Sequence, residues 1–254
     1  MRKITAQIAG VSLLMFQLVS YADSGAEEST EGWSGSTTIS YKEQSRKARN
    51  VDGLGRERDY AISGELSKQT KQYKTQFTAS YTYGEQGGAG TTDTTDDEWE
   101  LGNVSNYFMG EHWFIGNKFE IGEDEVNKVS SLVELLGYGY RGAWGEKLTY
   151  TIIPGVGYVK KQRETFADEN DFVVGFMFSC DYAFNDIVTL SNSMLFTESI
   201  DGEDSYFETD ITLNVKITKH VSITTEYTIE NDTYVEAPYE ENQRSLTVGL
   251  TVTY

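Results

Sequence analysis

The chain has 254 residues, with 40 acidic against 21 basic side chains and only two histidines, two prolines and one cysteine. A formal net charge of −19 excludes a nucleic-acid binder, because phosphates repel such a chain. A single cysteine excludes an internal disulfide, no spacing-based metal motif is present, and no cofactor is expected.

The first segment, MRKITAQIAGVSLLMFQLVSYA, carries Arg2 and Lys3, then an apolar stretch from Val11 to Val19, then small residues around Tyr21. That order is a secretory signal peptide over residues 1–22, with cleavage expected between Ala22 and Asp23. The apolar run is too short to anchor the chain across roughly 30 Å of hydrocarbon. Cys180 lies too far from the cut to serve as a lipoprotein anchor. A short polar leader is expected over 23–32, and a single β domain over 33–254.

Beyond the leader, segments of period-two alternation recur almost to the end, each about the ten residues that a tilted strand needs to cross a bilayer. The first two are predicted near 33–43 and 59–68. The third, near 72–84, sets Tyr73, Phe77, Ala79, Tyr81 and Tyr83 against Lys74, Gln76, Thr78, Ser80 and Thr82. The fourth, near 97–109, is weak because ELGNVSNYFM has no clean apolar face. The fifth lies near 112–122, and the sixth, near 128–141, changes face at Leu135. In the seventh, near 147–160, Pro154 stands beside Gly155 and Gly157. Proline cannot donate to a ladder, so these three are expected to bend the strand, at a bulge or a strand end.

The eighth strand (170–182) places Phe172, Val174, Phe176, Phe178, Cys180 and Tyr182 on one face. The ninth is predicted near 186–198. The tenth (205–218) sets Phe207, Ile211, Leu213, Val215 and Ile217 against Asp210, Thr212, Asn214 and Lys216. The eleventh (220–230) sets Val221, Ile223, Tyr227 and Ile229 against Ser222, Thr224 and Glu226. In the twelfth (244–254), Leu246, Val248, Leu250, Val252 and Tyr254 form one apolar face. A strand ordered to its last residue needs a partner on each edge, so it is expected to pair with the first and close a barrel. Its final aromatic also resembles the insertion signal read by the machinery that assembles outer-membrane barrels.

Connection lengths sort by parity. SKQTK, GE, GAWGE, AFN and TKH follow the even strands, whereas QSRKARNVDGLGRER, EQGGAGTTDTTD, KQRETFADEN and ENDTYVEAPYEENQ follow odd ones. Short periplasmic turns and longer extracellular loops are the plan of an outer-membrane barrel, and a soluble meander has no reason to sort its loops this way. Trp33 and Tyr41, Tyr150 and Tyr158, and Phe172 and Tyr182 stand near opposite strand ends, as aromatic girdles require. The fold class is therefore all-β, a closed antiparallel up-and-down transmembrane β-barrel of about twelve strands. Its expected location is the Gram-negative outer membrane, among outer-membrane lipids and lipopolysaccharide.

Acidic residues crowd the predicted loops, as in Asp93, Asp96, Asp97 and Glu98, or Glu123, Asp124 and Glu125. Solvation accounts for such runs, with weak binding of divalent cations as the alternative. The first loop is the exception, with Arg46, Lys47, Arg49, Arg56 and Arg58 suited to acidic neighbours or lipopolysaccharide phosphates. An enzyme is not expected. Both histidines, His112 and His220, fall at short turns away from the outer rim, and Gly32-Trp33-Ser34-Gly35 lacks the context of a nucleophile elbow. The inward faces offer hydroxyls and amides with scattered charges, of which Glu65, Lys74, Lys216 and Glu226 are the candidate lumen residues.

The runs TIIPGVGYVKK and TDITLNVKITKHVSITTEYTIENDTYVEAPYEENQRSLTVGLTVTY resemble the YdiY-like salt-induced outer membrane proteins, domain of unknown function 481. The resemblance covers roughly Gly32 to Tyr254 and is most specific at Pro154-Gly155-Val156-Gly157-Tyr158 and in the last two hairpins. The first hairpin departs from the family, with KEQSRKARNVDG where members often carry a Gly-Asn-Thr run. The family implies an outer-membrane barrel without assigned activity and brings no catalytic residues. The functional expectation is a narrow channel for ions or small solutes in envelope or salt stress. The alternatives are a plugged structural or surface-interaction barrel and, less well matched, a soluble periplasmic barrel around an apolar ligand.

Overall fold

The computed structural model describes residues 32–46, 55–88, 91–124, 129–163, 169–202, 204–233 and 242–254. Twelve strands follow in order: β1 (Gly32–Arg46), β2 (Gly55–Gln69), β3 (Tyr73–Gly88), β4 (Thr91–Phe108), β5 (Trp113–Asp124), β6 (Val129–Trp144), β7 (Leu148–Arg163), β8 (Glu169–Ala183), β9 (Val188–Ser199), β10 (Ser205–Lys216), β11 (Val221–Asp232) and β12 (Asn242–Thr253). Each pairs with its sequence neighbours, and β1 pairs with β12, so the sheet is a closed barrel. The expected signal peptide, the Ala22–Asp23 cut and nearly all of the polar leader lie outside the described residues, as do residues 47–54 of the basic first loop.

Closure runs in antiparallel register from Ser36 opposite Thr253 to Gln44 opposite Ser245. Beyond it, the Tyr254 amide donates to the Gly35 carbonyl at 3.0 Å and the Gly35 amide donates back at 3.1 Å. Neither edge strand is left bare, which removes the template for aberrant pairing. Along β12, Leu246, Val248, Leu250, Val252 and Tyr254 all face outward and are exposed.

The same outward stripe continues around the barrel through Ile39, Phe77, Leu101, Ile115, Leu136, Val156, Val174, Ile211 and Ile223. Aromatics bracket it. Near the long loops Tyr41 meets Tyr60 at 5.7 Å between centroids, and Tyr158 meets Phe172 at 5.6 Å. Near the short turns Trp113 stacks on Tyr138 at 5.2 Å and Tyr182 meets Phe184 at 4.9 Å. The short turns are at 70–72, 109–112, 145–147, 184–187 and 217–220, all at one end of the barrel. Gly145 takes a left-handed φ of 64°, which closes the tight β6–β7 turn.

Four details differ from the sequence expectations. The run EQGGAGTTDTTD is not a loop throughout, because β3 and β4 extend through it as a paired hairpin, with a register shift at Gly84/Glu85. Among the described residues, 91–97 of β4 have no partner on β5, while β3 remains paired with β2 as far as Gln86. Strand β6 does not change face. Leu132, Leu136 and Tyr138 point outward and Val133 and Leu135 inward, so both faces carry apolar side chains.

Pro154 marks neither a bulge nor a strand end. The β6–β7 register is the same on both sides of it, while Tyr138 and Gly139 lose their ladder partners opposite Pro154 and Ile153. The absent N–H interrupts the ladder without shifting it. Finally, the inward face is not polar all round. Leu135, Val159, Val173 and Leu195 form a buried cluster inside the barrel, and Phe108, Phe114 and Ile153 form a second, with Met177 packed against both. Twelve strands enclose more space than eight, whose interior side chains just fill, and this wall occupies part of the excess.

Glycines admit that apolar filling. The Phe114 ring lies over Gly139, where an added Cβ would meet Phe114 Cε2 at 2.5 Å. Leu135 lies likewise over Gly157. Phe108 packs edge-on against Phe114 at 5.6 Å, and the Arg141 guanidinium stacks over Phe108 at 4.0 Å, capping this cluster beside the short turns.

Candidate functional site

Among the described residues, two cavities open in the remaining interior. The first, about 450 Å³, lies toward the long loops. Strands β4 and β5 contribute Glu98, Glu100 and Glu120 to it, and β10 and β11 contribute Glu208, Asp210, Glu226 and Glu230. Lys118 and Arg244 are its cationic lining residues. These positions share the cavity because side chains two apart on a strand face the same way.

Hydrogen bonds fix several of these carboxylates. Lys118 Nζ lies 2.9 Å from Glu120 Oε2. The Tyr206 hydroxyl donates to Glu208 at 2.6 Å, Thr228 and Ser193 donate to Asp210 at 2.8 and 3.0 Å, and Thr212 donates to Glu226 at 3.2 Å. Acids outnumber cations in this narrow space, where the protein walls focus the net negative field.

The second cavity, about 430 Å³, opens toward the short turns. Lys216, Lys219 and His220 line it together with Glu65, and its other walls are mainly serine, threonine and Asn214. His220 Nδ1 lies 3.0 Å from the Thr253 carbonyl oxygen, which holds the imidazole at the rim. The charge of this end is therefore opposite to that of the other.

A wall of small polar side chains runs past both cavities. On β12, Ser245 and Thr247 line the first cavity and Thr251 and Thr253 the second, with Gly249 the inward position between them. On β1, Ser40 lines the first and Ser34 and Ser36 the second, with Thr38 between. Thr251 ties this wall together, sharing hydrogen bonds with Thr38 at 2.8 Å and Thr224 at 2.9 Å. The opposite wall is the apolar filling on β6 to β9, joined near the short turns by Phe108 of β4 and Phe114 of β5.

The family described as "Protein of unknown function, DUF481" matches residues 55–254. The chain belongs to this family. The resemblance read in its later strands is thus shown over β2 to β12. No curated protein matches this DUF481 chain. Solved structures share its architecture at low identity. The translocator domain of the autotransporter NalP from Neisseria meningitidis aligns with a TM-score of 0.53 and 10% identity, over 99% of this chain and 97% of that one. The NanC porin aligns at 0.55 and 10%, over 86% and 98%. The COG4313 outer membrane channel from Pseudomonas putida F1 aligns at 0.54 and 13%, over 91% and 98%. The fold of this DUF481 chain is that of outer-membrane β-barrels.

Of the candidate lumen charges, Glu226 lines the acidic cavity of this DUF481 barrel, while Glu65 and Lys216 line the basic one. Lys74 lies on the inward face of β3 and interacts electrostatically with Glu65. Most of the acidic cavity is hidden in the sequence, where Glu98 stands among the predicted loop acids and Glu100, Lys118, Glu120, Glu208 and Glu230 belong to no motif. Their signal is the i, i+2 spacing of charges in the inward phase, visible as Glu98/Glu100, Lys118/Glu120 and Glu208/Asp210. His112 and His220 both stand at short turns. Among the described residues no group of three or more His, Cys, Asp or Glu is arranged to hold a metal. Of the loop acids named above, only Glu125 lies outside those residues.

Proposed function

We propose that this protein is exported by cleavage between Ala22 and Asp23, resides in the Gram-negative outer membrane, and passes ions or small solutes through a narrow lumen without enzymatic activity. One observation carries the reading. The two cavities are separated along β12 by a single inward position, Gly249, and along β1 by Thr38 alone. Both cavities and the strip between them are lined by hydroxyls, amides and charges, which suits hydrated ions better than apolar ligands. The names of the NanC porin and the Pseudomonas putida F1 outer membrane channel agree with transport, and the sorting of loops by strand parity agrees with the outer membrane. On this reading the apolar outer stripe meets lipid, the long loops meet lipopolysaccharide, and the barrel-assembly machinery reads β12.

The test is single-channel recording from the folded barrel in a planar bilayer. Discrete current steps are expected. Heat-modifiable, folded protein that leaves the bilayer silent overturns the pore. The second reading is a plugged barrel, favoured by the buried cluster around Leu135, Val173 and Leu195. It predicts that silence, together with exclusion of small sugars from liposomes carrying the protein.

A further inference from the structure

The two cavities lie in series along one lumen and carry opposite charge. From this juxtaposition we infer that the pore rectifies, carrying more current when the long-loop side is positive. The inference rests on the pore reading above.

Carboxylates dominate the long-loop cavity, where two cations, Lys118 and Arg244, oppose them. Lys216 and Lys219, with His220 at the rim, line the short-turn cavity together with Glu65. Rings of acidic side chains admit cations and rings of basic ones admit anions. A positive potential on the long-loop side drives cations through the acidic end and anions through the basic end. Each ion meets first the segment that admits it, so both accumulate near Thr38 and Gly249 and the current is high. The opposite potential draws both species away from that junction, depletes it and lowers the current. The Asp181 carboxylate also faces the lumen near the short turns, where it accepts the Ser191 hydroxyl at 2.6 Å, and the inward Lys74 and Arg141 at the same end offset its charge.

The effect depends on overlap between the fixed charges and the ionic atmosphere. At 0.1 M salt the screening length is about 10 Å, comparable with a narrow lumen, and at 1 M it is about 3 Å. Rectification of at least about twofold is therefore expected at 0.1 M, with a nearly linear current–voltage curve at 1 M.

The experiment records single channels of the full barrel at both salt concentrations. Orientation is assigned with a bulky thiol reagent on an Asp186→Cys, Cys180→Ser variant, whose label sits in the β8–β9 turn. The expected result is greater current with the long-loop chamber positive at 0.1 M, loss of the asymmetry at 1 M, and a more symmetric curve in Lys216→Gln/Lys219→Gln. A linear curve at 0.1 M, rectification of the opposite sense, or asymmetry undiminished at 1 M overturns the inference while leaving the pore intact. Absence of current from folded protein removes the pore and this inference with it. The salt comparison uses unsubstituted lumen charges, so it decides the matter even where the lysine variant fails to fold.

Discussion

Gly139 and Phe114 show how single residues govern the interior. The ring fills the space that any β-carbon at 139 would take, with Phe114 Cε1 only 2.7 Å from that position. Phe114 is 1% exposed and anchors the cluster with Phe108 and Ile153, so it has little room to yield. Gly139→Val is expected to overpack this site and destabilise the barrel by about 1–3 kcal/mol. Urea unfolding of the refolded protein, followed by tryptophan fluorescence, measures the shift, and an unchanged midpoint would show that the ring moves freely. In the sequence, Gly139 looks like one glycine in GYGY on a weak strand. Its role is set by Phe114 on the neighbouring strand, and no local pattern announces that pairing. The outward residues are different. Leu246, Val248, Leu250 and Val252 carry their environment in their own alternation, and so they were legible.

At the scale of the strand, alternation succeeds where one face is apolar and fails where both are. Strand β6 sends Leu136 and Tyr138 outward and Val133 and Leu135 into the luminal cluster, so a period-two reading finds a false change of face. The β3–β4 hairpin escapes a period-two pattern for the converse reason. Its run EQGGAGTTDTTD has no apolar face at all, yet the backbone pairs through it. Among the described residues β4 makes no ladder with β5 over 91–97, and β3 pairs with β2 only as far as Gln86, so the extension adds little pairing to the wall. Replacing residues 85–96 with an Asn-Gly turn is expected to leave heat-modifiability on gel electrophoresis intact, and loss of the folded band would mean the hairpin helps close the wall.

Pro154 makes the third case at this scale. It is exposed on the outer face, and the β6–β7 ladder is broken only beside it. Pro154→Val supplies the missing donor and an apolar, β-branched side chain suited to the outer face. One added hydrogen bond is worth roughly 0.5–1.5 kcal/mol net. The urea midpoint is therefore expected to rise, and a fall would show that the interruption itself is needed by the strand.

For the molecule as a whole, the plan of the barrel was legible because loop parity and outward alternation are properties of segments taken one after another. The division of the lumen was not, because it is made by residues that meet only after closure. Leu135 on β6 and Leu195 on β9 share a cluster although three ladders separate them. Charges from β4, β5, β10 and β11 likewise converge on one cavity only across the closed barrel. The apolar wall thus does two things at once. It replaces the water that a wider empty lumen would hold, and on the pore reading it leaves the passage to the polar side chains of β10 to β2 and, toward the long loops, to those of β3 to β5. Leu135→Ala combined with Val173→Ala tests both. Each buried aliphatic truncation removes packing, at about 2–5 kcal/mol for the leucine, so the unfolding midpoint is expected to fall. If the cluster narrows the path, the folded double variant conducts more than the parent, and a silent parent becomes conducting. Equal conductance in a folded, measurably destabilised variant would mean that the cluster holds the barrel together without narrowing the route ions take.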